Sequence, residues 1–175
     1  MPFLITDSIS PPMKTTPATI RPEYKRPASV LVVVFTRAGE CLLMRRIQPQ
    51  RFWQSVTGSL RPGENPRHAA LRELREETGL LGAAHLINLH QSRLFPIIQA
   101  WRQRYAKHHH FNREYWFGVC LPERRFIRLN QAEHSEYRWL RFDRALELAN
   151  SWTNRAALRL LAPLVNSSLP IASAV

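Results

Sequence analysis

Three carboxylates, Glu73, Glu76 and Glu77, crowd a single short segment of a chain of 175 residues whose formal net charge is +12. Like charges three and four positions apart on a helix repel by a few tenths of a kcal/mol per pair, roughly 0.2–0.5. Such crowding calls for a compensating partner. Carboxylate oxygens at this spacing form a hard donor set for Mg²⁺ or Mn²⁺, whose charge offsets the repulsion. An ion held there can neutralise an anionic group and lower the pKa of a bound water. The competing explanation, a solvated acidic face, requires no further pattern in the flanking residues.

The segment that must carry these acids is bounded by clear signals. Asn65 is an N-cap candidate, Pro66 suits the first helical position, and Gly79 suits the stop. The predicted helix runs over 66–78. At 100° per residue, Ala70, Leu71, Leu74 and Thr78 share a side that can pack on a sheet. Glu73, Glu76 and Glu77 occupy an arc of about 100° on a different side. Ala69 lies inside that arc and is small enough to leave room above it. Arg72 flanks the acids, placed to pair with Glu76 or to reach back to Glu64. Gly58 and Gly63 permit a tight loop ahead of the helix.

The rest of the chain reads as a mixture of short strands and helices. β-Branched and apolar runs predict strands over 29–36, 41–46, 52–57, 85–91, 114–121, 125–129 and 137–141. Helical patterns follow at 143–149 and 153–165. The expected class is α/β (or α+β) in one domain over 23–168. A proline-rich N-terminal tail over 1–22 and a C-terminal tail over 169–175 are expected to be flexible.

Composition narrows the class of protein. Hydrophobic residues make up 45% of the chain, as in a soluble globular protein. No apolar run reaches the roughly 18–20 residues of a membrane span. The N-terminus lacks the charged start of a secretory signal, so a cytoplasmic location is expected. Cys41 and Cys120, without C-x-x-C spacing, read as free thiols. Trp53, Trp116, Trp139 and Trp152 read as core, and His108, His109 and His110 as a solvated loop. The positive charge suits nucleic acid, anionic lipid or a small polyanion. Removing residues 1–26, with four basic and two acidic side chains, still leaves +10, which keeps RNA among the alternatives.

Gly58, Glu64, Arg72, Glu73, Leu74, Glu76, Glu77, Gly79 and Leu80 stand at the positions of G-x5-E-x7-R-E-U-x-E-E-x-G-U, with U a bulky aliphatic. This resembles the Nudix box, the signature of the Nudix hydrolase superfamily. The resemblance implies an α/β/α sandwich with a mixed sheet and a loop–helix–loop catalytic motif. It also implies hydrolysis of a nucleoside diphosphate linked to another group. The stretches YKRPASVLVVVF, RFWQSVTGS, RQRYAKHHHFNREYWF, AEHSEYRWL and SWTNRAALRLL are similar to a bacterial branch of that superfamily acting on dihydroneopterin triphosphate.

Carried over position by position, the resemblance implies metal ligation by Glu73, Glu77 and Glu133, with Mg²⁺ expected and Mn²⁺ as the alternative. Glu133 or Glu76 would serve as base, and Arg72 completes the catalytic set. Lys25, Arg45, Thr57, Phe95 and Ser151 would bind substrate. Lys25 and Arg45 suit phosphate oxygens, a role that Arg46 could share, and Phe95 with Ile97 or Ile98 suits the pterin. The expected partner is a small-molecule triphosphate, without nucleic acid or membrane. The alternatives are a broader nucleotide or RNA 5′-pyrophosphohydrolase and a non-catalytic nucleotide-binding module.

Overall fold

A computed structural model describes residues 24–166; the two tails expected over 1–22 and 169–175 lie outside them. Strand β1 (Ala28–Thr36) divides the core by simple alternation, because successive side chains on a strand point to opposite faces. Val30, Val32 and Val34 face one layer with Met44, Val56, Leu74 and Val119. Leu31, Val33 and Phe35 face the other with Trp116, Leu158 and Leu161.

Around β1 are arranged β2 (Glu40–Arg46), β3 (Trp53–Gln54), β4 (Val56–Ser59), β5 (Leu86–Pro96), β6 (Phe111–Leu121) and β7 (His134–Arg141). The main path of the mixed sheet runs β3-β2-β1-β6-β5, with β4 paired to β1 and β7 to β2. β1 and β6 are parallel from Ala28↔Arg113 to Thr36↔Leu121. On its other side β1 changes partner: β4 covers it from Ser29↔Ser59 to Val32↔Val56, and β2 meets it at Phe35↔Cys41. Helix α1 (Pro66–Thr78) packs on the first layer, and α2 (Phe142–Leu148) and α3 (Trp152–Asn166) on the second. This is the expected α/β/α sandwich.

The expected helix limits hold for local reasons. The Asn65 side chain accepts from the His68 N–H at 2.9 Å, and Gly79, at φ 75°, caps the end by donating to the Arg75 carbonyl. Residues 125–129, expected as a strand, form no ladder. The segment and the residue after it bond to the end of α1 instead, Arg128 N–H to the Thr78 carbonyl at 3.0 Å and Asn130 N–H to the Glu77 carbonyl at 3.1 Å. The apolar pattern that suggested a strand reflects Ile127, buried in the first layer. β5 and β6 are longer than expected because their outer ends pair with each other, Phe95 opposite Asn112. Trp53 and Trp116 are buried as expected, and Trp139 packs on the first layer. Trp152 differs: it is half exposed and lines a cavity. Cys41 and Cys120 are free, the first buried and the second partly so.

Candidate active site

The turn from β4 into α1 is held together by close contact and by one arginine. A Cβ on Gly58 would sit 1.8 Å from Glu73 Cδ, so only glycine admits the Glu73 side chain here. Gly58 is thus required by close approach, whereas Gly63, at φ 70°, supplies the turn. Arg72 grips both carboxylate oxygens of Glu64, each at 2.8 Å, and the Ser59 carbonyl at 3.0 Å. It also donates to Glu73 at 2.6 Å and Glu76 at 3.1 Å. The Arg72 contact, assisted by Arg61, holds the Glu64 carboxyl down at about 2. A planar fork makes five such bonds; an ammonium cannot. Arg72→Lys is therefore expected to lower stability by about 2 kcal/mol, read as a lower urea midpoint with unchanged slope.

The acidic arc is not uniformly solvated. Glu76 is open and bound to Arg61 at 3.0 Å, whereas Glu77 is fully buried on the same side as Ala69, Ala70 and Leu74. The 128–134 segment wraps the end of α1 and delivers Glu133 and His134 to Glu77. Ile47 N–H pins it by donating to the Glu133 carbonyl at 2.9 Å. One donor atom each from Glu77, Glu133 and His134 lies within 4.8 Å of the others. Thr57 N–H approaches Glu77 Oε2 at 3.4 Å, and His134 Nε2 lies 3.4 Å from the same oxygen. Among the described residues, Glu77 Oε1 and both His134 ring nitrogens are buried without a hydrogen-bond partner.

These environments set the charges. Burial, reinforced by Glu133, holds the Glu77 carboxyl well above the usual range. Burial also lifts Glu73 to about 7 against the pull of Arg72. His134 is pushed down to about 4 by burial and then Arg46, so its imidazole is neutral near pH 7. Glu77, Glu133 and His134, with the unpartnered buried oxygen of Glu77, form a cluster able to hold a divalent cation, and Glu73 is not among its donors.

The cluster opens onto a cavity of about 620 Å³. Of the residues expected at the site, Lys25, Thr57, Glu73, Glu76, Phe95, Glu133 and Ser151 line it. Ile97 and Ile98 line it as well, beside Phe95. Ser151 also caps α3, accepting from Asn154 N–H at 3.0 Å. Arg45 does not line the cavity. It points the other way, to Ser135 at 3.0 Å and Glu136 at 3.4 Å. Arg46 lines the cavity instead, 3.9 Å from Glu133, and the β2–β7 register shifts between the two arginines. Lys25 stands in the same field as Arg46, Glu73 and Glu133, with burial and Arg104 lowering its pKa.

Asn112, Glu114, Trp101 and Tyr105 also line this cavity, although nothing singled them out in the sequence. The available signal was the polar pair at i and i+2 ahead of the apolar run of β6. His134 stood beside Glu133 in AEHSEYRWL without being assigned a role.

The NUDIX domain model matches residues 25–161, most of the chain. The chain belongs to the NUDIX family. Within it, this Nudix protein is 41% identical over 140 residues to the dihydroneopterin triphosphate diphosphatase of Escherichia coli strain K12, covering 77% of this chain and 91% of that one. The enzyme of the same name from Haemophilus influenzae is 34% identical over 141 residues, 78% and 88% of the two chains. The structure of the E. coli dihydroneopterin triphosphate pyrophosphohydrolase superposes with a TM-score of 0.75 at 38% identity, covering 81% of this chain and 98% of that one. Among the described residues no helix is long and apolar enough to cross a membrane.

Proposed function

We propose that this Nudix hydrolase converts dihydroneopterin triphosphate to the monophosphate and pyrophosphate. The observation that carries the reading is a single cavity with two kinds of wall. Glu73, Glu133, Lys25 and Arg46 suit a metal-bound triphosphate, while Phe95, Ile97, Ile98 and Trp152 offer apolar surface to a flat heterocycle. The E. coli and H. influenzae relatives carry the substrate name that fits both.

Glu73 and Glu77 would hold a divalent cation, Mg²⁺ by hardness, with Glu133 facing them from the 128–134 loop. The buried, unpartnered Glu77 Oε1 is what such an ion would satisfy. A bound divalent cation supplies charge neutralisation and a more acidic water. Lys25 and Arg46 would take the remaining phosphate charge. Glu76 is committed to Arg61 and Arg72, while among the described residues Glu133 has only the 3.9 Å contact with Arg46, so Glu133 is the better placed proton acceptor.

Initial rates at equal concentration on dihydroneopterin triphosphate and a panel of nucleoside triphosphates and 5′-triphosphate RNA test the reading. The pterin should have the highest kcat/KM. Faster cleavage of a nucleotide or RNA would overturn the pterin assignment and leave the hydrolase one.

The raised carboxylates also give metal binding a pH dependence. Protons occupy Glu73 below about 7, and burial raises the Glu77 carboxyl as well, so cation binding must displace them. Affinity is therefore expected to rise with pH between 6 and 8, with proton release on binding. Calorimetric titration with Mn²⁺ in buffers of different ionisation enthalpy measures both. His134, at about 4, is neutral throughout that window and does not contribute.

A further inference from the structure

The cavity wall formed by the outer end of β6 carries buried polar atoms that the phosphate chemistry does not use. Asn112 and Glu114 are 3% and 6% exposed and share one face of the strand. Asn112 donates to Ser29 Oγ at 2.6 Å, but its Oδ1 is buried without a partner among the described residues. Glu114 accepts from Trp116 Nε1 at 3.0 Å and bonds to the Thr153 side chain. Neither of those partners is a cation. An ionised carboxylate has about four lone-pair sites, so acceptor capacity remains. Lys25, by contrast, stands in the field of Glu73, Glu133, Arg46 and Arg104.

Leaving acceptors buried and unfilled costs free energy, and an apolar pair here would simply continue the pattern of the strand toward Trp116. What would compensate is a ligand edge rich in N–H donors. The pyrimidinone ring of a pterin has such an edge, with N3–H and the 2-amino group side by side. The opposite strand places Phe95 across from Asn112, an apolar neighbour for a planar ring. Resting on the pterin reading above, we propose that Glu114 and Asn112 read the heterocycle, Glu114 accepting from N3–H and the 2-amino group and Asn112 Oδ1 from the remaining amino hydrogen. Burial raises the Glu114 carboxyl, and added N–H donors favour its ionised form.

The test separates the two ends of the substrate. Binding of unphosphorylated dihydroneopterin is measured for the full chain, for Glu114→Gln and for Asn112→Leu, beside inhibition by inorganic tripolyphosphate. Each variant should bind dihydroneopterin at least about tenfold more weakly, and raise KM for the triphosphate likewise, as expected when a paired donor edge loses its acceptor. Tripolyphosphate inhibition and kcat should stay within about twofold, a change too small to signal a lost contact. A pterin lacking the 2-amino group should bind the parent protein poorly, and Asn112→Leu, whose contact is with the amino group alone, should penalise it no further. If Glu114→Gln does not fold, Asn112→Leu and the analogue on the parent protein decide alone. Undiminished dihydroneopterin binding by the variants, with normal turnover by the parent, overturns this assignment only. A parent protein that neither binds dihydroneopterin nor hydrolyses its triphosphate overturns the functional reading together with it.

Discussion

Glu77→Gln is expected to lower metal-dependent kcat/KM by at least about 10³-fold while leaving the metal-free protein at least as stable as the parent. Both halves follow from burial. Glu77 lies in the first core layer, its Oε1 without a partner and its carboxyl held well above the usual range. A neutral amide of the same shape removes a charge the fold disfavours, so no stability should be lost. The sign follows from the direction of the shift. A carboxyl whose folded pKa is raised weakens the fold as pH climbs from the unfolded value toward the folded one. The metal-free parent should therefore lose stability relative to Glu77→Gln as pH rises above about 4.5, the ordinary carboxylate range. Thermal melts in chelator across pH 5–8, with assays of both proteins in Mg²⁺, provide the check. An active variant would remove Glu77 from the proposed metal set.

The second large effect is expected at a residue without any chemistry of its own. Gly58→Ala places a methyl 1.8 Å from Glu73 Cδ and 1.9 Å from its Oε1. The Glu73 side chain cannot rotate away freely, since Arg72 holds it at 2.6 Å. Overpacking of this kind costs about 1–3 kcal/mol, and a displacement near 1 Å at a reacting group costs about 10²-fold in rate. Gly63→Ala is the natural control. It has open space around it and only the left-handed φ of 70° to accommodate, so about 1 kcal/mol should be lost with kcat unchanged. Equal loss of activity at both glycines would mean that loop shape matters, and not the approach of Glu73.

The contrast between those glycines shows what a single sequence can and cannot convey. Helix α1 was legible to the residue, since its stop and start signals are local: an Asn65 cap, Pro66 at the first turn, Gly79 at the last. The pairing of Arg72 with Glu76 followed from helical spacing, whereas its reach back to Glu64 was open as an alternative, and the arginine makes both contacts. The contact between Glu133 and Glu77 did not, because it depends on the 128–134 segment bonding to the end of α1 across some fifty residues of chain. The same bonds explain why 125–129 looked like a strand and is not one. Arg45 and Arg46 could not be told apart without the register shift between them. Asn112 and Glu114 were hidden because two polar residues at the mouth of a strand ordinarily mean exposure. Here the pairing with β5 and the packing of Thr153 bury them.

The central claim is metal-dependent cleavage of the triphosphate chain with release of pyrophosphate. Phosphorus NMR of dihydroneopterin triphosphate incubated with the protein and Mg²⁺ reads it directly. The account predicts paired growth of a pyrophosphate signal and a phosphomonoester signal, both abolished by chelator. Orthophosphate released stepwise, or turnover that survives the chelator, would contradict it.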